Sequence, residues 1–414
     1  MLQIDHAYEF FYNTVFTDFD FYHLVNGVPI IGQLSATDIT IFTPGLHATK
    51  KIFFYDQEPL TSGITDQYFD FFTWIDKLTV DELQALNSAD KLPHGLPQVS
   101  QEYINFNLDD INRFYKNKII VTSELSKMFD NYAKKYNTSQ LYYFFHGFAA
   151  LDWYRGFYAL NYNKSIVKDY KNDFISFNRL IAGDRSYRIY FISKLAELDL
   201  LKLGLISFGV AGDNNDWRDE ISNINSKLSE HSKLHIEQHL TDVNKLIIDN
   251  FSVPGWASAD IPRCTNDSLW HIVTETVFYY DKLHLTEKIF KPIVSKQPFM
   301  LLAAPGNLAY LKSYGFKTFD GIIDESYDTI IDNDQRTEAV VAQIAWYCAL
   351  SVEEKRSVIE AIAPIVEYNF HHFYSEFKHI ITKELLDNCR TVFKEISYND
   401  QHIDYTSIHH VLTN

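Results

Sequence analysis

Residues 270–306, WHIVTETVFYYDKLHLTEKIFKPIVSKQPFMLLAAPG, carry the clearest structural pattern in the chain. An apolar run, two polar clusters, an amphipathic segment and a second apolar run follow one another, which predicts strand, loop, helix and strand. Thr286 is placed to cap the helix, because its hydroxyl oxygen can accept a hydrogen bond from a free backbone N–H. Glu287 and Lys288 then lie in the first turn, where a diphosphate or a ribose hydroxyl would bind. The alternative is an ordinary capped helix with a solvated Glu–Lys pair.

The composition describes a large acidic chain. Its 414 residues are enough for two domains or a little more, and the 46% of hydrophobic residues allow each domain a sizeable core. The formal net charge is −17. This charge excludes a protein held to nucleic acid by a broad basic surface, but it leaves room for a local basic cleft.

Cysteine usage and the N-terminal residues bear on the compartment. Cys264, Cys348 and Cys389 are far apart and show no zinc-site spacing, which favours a reduced, cytoplasmic compartment. The N-terminal residues MLQIDHAYEFFYNTVF contain early acidic residues and no basic segment, so no signal peptide is expected. No apolar run approaches the roughly 20 residues that span a bilayer, so no membrane partner is expected.

Short apolar strands alternate with helical segments along the chain. The strands predicted in the N-terminal half include residues 51–55, 118–122 and 141–145, and Ser123 is expected to cap a helix through residue 136. A polar stretch at residues 161–172 is placed as the domain link. Longer helices are predicted at residues 186–203, 352–368 and 376–396. The alternation predicts α/β domains with mainly parallel sheets.

A second motif concentrates cations after a predicted strand. Asn178 and Arg179 lie at the carboxyl end of this strand, where ligands bind in open α/β sheets. Arg185 and Arg188 fall at the start of the next helix, and the planar guanidinium group suits phosphate oxygens. The alternative is that these arginines pair with nearby acids such as Asp184.

A third motif, DQEP at residues 56–59, follows the predicted strand KIFFY. Pro59 stiffens the loop and ends the strand. A reaction in which a hydroxyl group attacks needs a base to take its proton, and a carboxylate on a rigid loop can serve. Glu58 is our first choice for the base and Asp56 the second; His146 and Asp152 are further candidates.

These motifs resemble the donor site of nucleotide-sugar glycosyltransferases, most closely the α1,3-fucosyltransferase family. In that family an acidic pair precedes a Thr-Glu-Lys helix, as Glu275 precedes Thr286 here, and the resemblance places both residues in the donor site. The resemblance implies that Glu287 holds the ribose and Lys288 the phosphates. It makes Asn178 and one or more of the three arginines diphosphate contacts. The family's Glu-Ser-Pro strand end, with Glu as base, is similar to KIFFYDQEP.

The resemblance implies the GT-B architecture, with two Rossmann-like domains facing a cleft and C-terminal helices packing back. Residues 1–165 are expected to form an acceptor-binding domain and residues 166–365 a nucleotide-sugar-binding domain. Residues 366–414 are expected to pack back on the N-terminal domain. The implied activity is an inverting, metal-independent sugar transfer from a UDP- or GDP-linked donor, with no cofactor.

The acceptor has two alternatives. Residues 313–328, SYGFKTFDGIIDESYD, look like glycosyltransferase-like proteins of tailed bacteriophages, which favours a hydroxymethylated base in phage DNA and the host cytoplasm. The net charge favours a glycan instead. A basic cluster that could follow DNA consists of Arg113, Lys116, Lys118, Lys127, Lys134 and Lys135. A different class of function is a non-catalytic glycosyltransferase-like binding protein.

Overall fold

The chain forms two compact units. The computed structural model describes residues 14–15, 20–25, 28–30, 51–55, 118–136, 139–154, 170–209, 216–224, 226–240 and 263–413. Residues 1–148 and 379–414 make up the first unit, and residues 149–378 make up the second. The C-terminal residues therefore group with the N-terminal part of the chain.

Strands and helices alternate through the described residues. The strands are β1 (Asp20–Val25), β2 (Val28–Ile30), β3 (Lys51–Tyr55), β4 (Lys118–Thr122), β5 (Leu125–Ser126), β6 (Ser139–Tyr142), β7 (Asn172–Asn178), β8 (Gly204–Phe208), β9 (Ser268–Thr274), β10 (Lys282–Leu283) and β11 (Phe299–Leu302). The α-helices are α1 (Lys127–Tyr136), α2 (Phe145–Tyr154), α3 (Tyr187–Glu197), α4 (Trp217–Ser222), α5 (Glu230–His239), α6 (Glu287–Val294), α7 (Asn307–Ser313), α8 (Asn333–Ala349), α9 (Val352–His372), α10 (Lys378–Glu395) and α11 (Tyr405–Thr413).

The first unit contains a mainly parallel sheet in the order β2-β1-β3-β4-β6. Strand β2 pairs antiparallel with β1, whereas the β1–β3, β3–β4 and β4–β6 pairs are parallel. On the C-terminal side of the chain, the Asn388 amide on α10 donates to the carbonyl oxygen of Tyr142 at 3.1 Å. This contact attaches α10 to the carboxyl end of β6.

The second unit contains a parallel sheet in the order β11-β9-β7-β8. From β7 the chain first adds β8 on one side, and then adds β9 and β11 on the other. The strand order therefore reverses between β7 and β9. In open α/β sheets, ligands bind outside the carboxyl ends of the strands at such a reversal.

The centre of the second sheet is buried on both faces. Every residue of β9 is buried, which explains why its sequence reads as a continuous run rather than an alternating pattern. The Trp270 ring meets Phe319 and Tyr347 edge-on, with ring centroids 5.3 and 6.0 Å apart. These contacts attach α8 and the segment after α7 to the sheet.

The predicted α/β class with parallel sheets is confirmed. Within the described part of the chain, no helix combines the length and the apolar character needed to cross a membrane. The GT-B arrangement of the domains stays a prediction.

Gly315, just after α7, provides a first testable prediction. Its φ is +88°, and an added Cβ would lie 2.7 Å from Cε1 of His372. The His372 ring cannot easily move, because its Nε2 donates to the Tyr314 carbonyl oxygen at 2.7 Å. Gly315→Ala should therefore lower the free energy of unfolding by about 2–4 kcal/mol, through backbone strain and overpacking together.

Gly321 is the matched control, because its φ is +84° and nothing lies within 4 Å of an added Cβ. Gly321→Ala should show only the backbone strain, about 1–2 kcal/mol. Denaturant unfolding of both variants measures the difference. Equal losses of unfolding free energy in the two variants would show that the His372 ring does not clash with the Cβ added at Gly315.

Candidate functional site

The carboxyl ends of β7 and β9 are joined by the buried side chain of Asn178. Its Nδ2 donates to Ser176 Oγ, and its Oδ1 accepts from Thr274 Oγ1, each at 3.0 Å. The Asn178 backbone N–H donates to Ser207 Oγ on β8 at 3.0 Å. Asn178 therefore holds three neighbouring strand ends together at the point where the strand order reverses.

Arg188 is buried beneath the same edge of the sheet. Its Nη2 donates to the carbonyl oxygens of Thr274 and Glu275 at 2.8 and 3.3 Å, and its Nη1 donates to that of Leu180 at 2.8 Å. The Tyr187 hydroxyl also donates to the Glu275 carbonyl oxygen, at 2.6 Å. These contacts give Arg188 a structural role, fixing α3 against the end of β9.

Glu275 is a fully buried carboxylate that organises the start of α6. Its Oε2 accepts from Thr286 Oγ1 at 2.5 Å and from the Thr276 N–H at 3.2 Å. Its Oε1 accepts from the Thr286 N–H at 3.2 Å. Because α6 begins directly after Thr286, the positive end of the helix dipole also faces this charge. The Glu275 carboxylate therefore fixes the position of Thr286 and the first turn of α6.

Lys288 lies in the first turn of α6 with its side chain 28% exposed. Its Nζ donates to the hydroxyls of Thr276 and Thr286, each at 3.0 Å, and to Glu287 Oε1 at 3.2 Å. Thr286 is the helix N-cap, and its Oγ1 accepts from the Lys288 N–H at 3.4 Å. The ammonium group is thus held at the helix N-terminus by two neutral oxygens and one carboxylate. A phosphate oxygen could replace the carboxylate there.

The loop between β7 and α3 carries the other predicted cations. Arg179 and Arg185 are both half-buried in it. Gly183 has a φ of +60° and donates its N–H to Glu220 Oε2 at 3.2 Å, so α4 supports the loop from outside. The loop therefore has a defined conformation beside the strand reversal.

Two tyrosines connect this loop with the segment after β9. The Tyr279 and Ser186 hydroxyl oxygens lie 2.7 Å apart. The Tyr187 ring stacks on Phe278 with the centroids 3.9 Å apart. Burial raises the pKa of both the Tyr187 and the Tyr279 phenols, so both stay neutral hydrogen-bonding groups. The loop and the β9–α6 segment are held together as one surface.

Comparison of the chain with models of protein families and with curated proteins finds no match. The assignment of the candidate site therefore rests on the geometry of its residues.

The structure brings together all eight predicted donor-site residues. Those gathered around the carboxyl ends of β7 and β9 are Asn178, Arg179, Arg185, Arg188, Glu275, Thr286, Glu287 and Lys288. Of the predicted bases, Asp56 and Glu58 lie outside the described residues. His146 is buried in the first turn of α2 and belongs to the first unit, with its ring edge-on to Phe145 at 5.1 Å.

The residues that support the site were not predicted as site residues from the sequence. Thr274 and Ser207 fix Asn178, Thr276 holds Lys288, and Glu220 holds the arginine loop. A signal for Thr274 and Thr276 was present, because Thr274, Glu275 and Thr276 form an unbroken polar run after the apolar residues of β9. No local signal pointed to Glu220, because its partner is 37 residues away.

Proposed function

We propose that the protein is a glycosyltransferase that moves a sugar from a nucleotide-diphosphate sugar to an acceptor hydroxyl. The observation that carries this proposal is the position of Lys288. Its ammonium group lies at the N-terminus of α6, which follows β9 at the reversal of a parallel sheet. Helix dipole, backbone N–H groups and side-chain charge all favour an anion there.

The proposed donor site uses Lys288 and Glu287 as a pair that exchanges partners. When a diphosphate arrives, Lys288 gives up Glu287 Oε1 and takes a phosphate oxygen. The Glu287 carboxylate then accepts a hydrogen bond from a ribose hydroxyl. Thr276 and Thr286 keep the ammonium group in place throughout, because they hold it independently of Glu287.

Arg179 and Arg185 are the proposed second source of positive charge. Both lie on the loop that follows β7, across the strand reversal from α6. Cations placed around the leaving diphosphate would stabilise the charge that develops as the glycosidic bond breaks. Arg188 is left out of this set, because backbone carbonyls already occupy its guanidinium group.

The acceptor side completes the proposed GT-B enzyme, with two Rossmann-like domains facing a cleft and an inverting outcome. Glu58 would take the proton of the acceptor hydroxyl, with Asp56 and His146 as alternatives. The acceptor is a glycan or a hydroxymethylated DNA base. Duplex DNA binding that falls steeply with salt would select the DNA acceptor.

One observation favours a second candidate, a non-catalytic nucleotide-binding protein. The side chains of Asn178 and Arg188, two of the predicted diphosphate contacts, are both engaged inside the fold. Such a protein would bind nucleotide without breaking a glycosidic bond.

The first experiment is a thermal-shift screen with UDP, GDP, CMP, ADP and dTDP. One nucleotide should raise the melting temperature by several degrees, since a ligand at about 100 times its Kd adds about 2.7 kcal/mol. Lys288→Ala should abolish that shift. Lys355→Ala is the matched control. Lys355 lies on α9, is 24% exposed and is also paired with a carboxylate, that of Asp173. Absence of a shift with every nucleotide would overturn the proposed donor site.

The matching nucleotide sugar then separates the two candidates. An enzyme should release free nucleoside diphosphate, slowly to water and faster with an acceptor. Binding without any release, at protein concentrations near that of the donor, would support the non-catalytic alternative.

A further inference from the structure

Helices α3 and α5 bring two histidines and a glutamate together away from the strand reversal. His235 and His239 are four residues apart on α5 and therefore share one face of the helix. Their ring centroids are 4.4 Å apart with an interplanar angle of 31°. Glu197, the last residue of α3, contributes its carboxylate. One potential ligand atom from each residue lies within 4.8 Å of the other two.

The spacing is close to what a metal ion requires. Zinc binds histidine nitrogen and carboxylate oxygen at about 2.0–2.2 Å, which separates tetrahedral ligand atoms by about 3.4 Å. The His235 Nε2 to Glu197 Oε2 distance is already 3.1 Å. The His239 ligand atom lies within 4.8 Å of the other two, so it would have to move towards them by up to about 1.4 Å to reach tetrahedral spacing.

The hydrogen bonds of Ser193 decide which nitrogen of His235 is available. The Ser193 hydroxyl donates its single hydrogen to the Tyr190 carbonyl oxygen at 2.7 Å. Its oxygen, 3.0 Å from His235 Nδ1, therefore accepts from an Nδ1–H. This leaves the Nε2 lone pair directed at the Glu197 carboxylate. Two lone pairs facing each other at this distance need a cation between them, either a proton or a metal.

This arrangement also matches the outer shell of known types of metal site. A metal-bound histidine nearly always donates its other ring N–H to a protein oxygen, which fixes the ring and raises its basicity. Ser193 provides that oxygen for His235. The pair of histidines with one carboxylate is a ligand set that zinc accepts, with a fourth position open to water.

Lys194 is the group that opposes a metal ion at this place. Its Nζ lies 2.5 Å from Glu197 Oε2 and 3.9 Å from Glu338 Oε1. A dication at Oε2 would repel the ammonium group, which can turn towards Glu338 and keep an anionic partner. Lys194 therefore weakens metal binding without blocking it.

We propose that Glu197, His235 and His239 form a binding site for a divalent transition metal, with Zn²⁺ as the favoured ion. The ion would link the end of α3 to α5 and so stabilise the second unit. The site is independent of the proposed donor site, and its test does not depend on any sugar transfer.

Titration with Co²⁺ as a spectroscopic stand-in for Zn²⁺, followed by Zn²⁺ competition, tests the proposal. The wild type should develop the visible absorption of tetrahedral Co²⁺, and Zn²⁺ should remove it. His239→Gln and Glu197→Gln should each weaken binding by at least about 100-fold, the upper end of what loss of an outer-shell partner costs. Ser193→Ala should weaken it by about 10-fold.

Two further variants make the test specific. His371 is an exposed helical histidine whose Nε2 lies 2.8 Å from Glu367 Oε1, so His371→Gln is the matched control and should leave binding unchanged. Lys194→Met should tighten binding by about 10-fold, because it removes a charge close to the ion. Melting without metal checks that each variant is folded.

Either of two outcomes would overturn the proposal. One is the absence of a tetrahedral Co²⁺ spectrum in the wild type. The other is binding that keeps its affinity in His239→Gln and Glu197→Gln, since the metal would then be held elsewhere in the chain.

Discussion

Replacing Arg336 with methionine is expected to lower the free energy of unfolding of the second unit by about 3–5 kcal/mol. Arg336 lies on α8 and is only 1% exposed. All five of its N–H groups donate to protein oxygens. The acceptors are the carbonyl oxygens of Ala303, Phe278, Ile330 and Ile331 and the side-chain oxygen of Asn333, at 2.6 to 3.0 Å. Methionine fills the space but leaves these buried acceptors without donors.

The charge itself adds to the effect of this substitution. Burial lowers the pKa of the Arg336 guanidinium to about 10, so the group is still protonated at neutral pH. The guanidinium also lies over the Phe278 ring, 4.3 Å from its centroid. Arg336→Lys should recover only part of the loss, because an ammonium group has three donors and no planar fork.

Denaturant unfolding of both variants measures the effect. Arg356 on α9 is exposed, so Arg356→Met is the control and should change the free energy of unfolding by no more than about 0.5 kcal/mol. If Arg336→Met unfolded at the same denaturant concentration as the wild type, the five hydrogen bonds would not form as described.

The elements that could be predicted from sequence are those with a long apolar pattern or with clear capping and terminating residues. The apolar run of β9, the cap at Thr286 and the strand at β11 all follow from residues 270–306. The helix predicted at residues 186–203 is in fact α3, which ends at Glu197, followed by a 3-10 turn at Leu201–Leu203. Asp199, with a φ of +56°, lies where the helix ends.

Short apolar runs misled the prediction. Residues 141–145, LYYFF, were predicted as a strand, but β6 ends at Tyr142 and α2 begins at Phe145. Periodicity cannot separate a buried strand from a buried helix over so few residues. Ser123 was predicted to cap α1, whereas Ser126 is the residue whose Oγ accepts from the Phe129 N–H, at 3.1 Å. Strand β5, which ends at Ser126, separates Ser123 from the start of α1.

Helices α9 and α10 show a different limit. Their sequences predict two separate helices, but a π-helical turn at Phe373–Phe377 connects them without a break. The Phe373 and Phe377 side chains are both fully buried, and both contact the Phe290 ring. Tertiary packing of these rings onto α6 decides the backbone there, and no local pattern reports it.

The candidate site shows why residue roles are harder to predict than residue positions. Arg179, Arg185 and Arg188 look alike in the sequence, which predicted only that one or more of them contact phosphate. The structure separates them by burial, since Arg188 points to backbone carbonyls and the other two are half-buried. Likewise, Glu275 was predicted as a donor-site residue, and its buried carboxylate accepts hydrogen bonds at the start of α6. Sequence shows the chemistry available at a sheet edge, and packing decides which groups support the others.

Glu275 therefore provides the second large prediction. Glu275→Ala should lower the free energy of unfolding by about 2–4 kcal/mol, because it leaves the Thr286 N–H, the Thr276 N–H and the Thr286 hydroxyl without their acceptor. Without that acceptor the cap of α6 loosens. Lys288 is still present in this variant, but it depends on Thr276 and Thr286 for its position. The variant should therefore also lose the proposed nucleotide binding.

Glu275→Gln separates charge from hydrogen bonding. The amide oxygen can still accept from the Thr286 N–H, but the amide nitrogen would face the Thr276 N–H, donor against donor. The loss should be about 1–3 kcal/mol, the cost of one unsatisfied buried group. Thr286→Ser keeps both the acceptor and the donor of the hydroxyl, so it should retain the cap and leave the proposed nucleotide binding unchanged.

Two measurements on the same samples decide the matter. Denaturant unfolding gives the stability loss, and nucleotide-induced thermal shift gives the loss of binding. Lys288→Ala should remove binding with little loss of stability, since Lys288 is partly exposed, whereas Glu275→Ala should reduce both. If Glu275→Ala kept full stability and lost only nucleotide binding, the carboxylate would contact the ligand directly and would not have a supporting role.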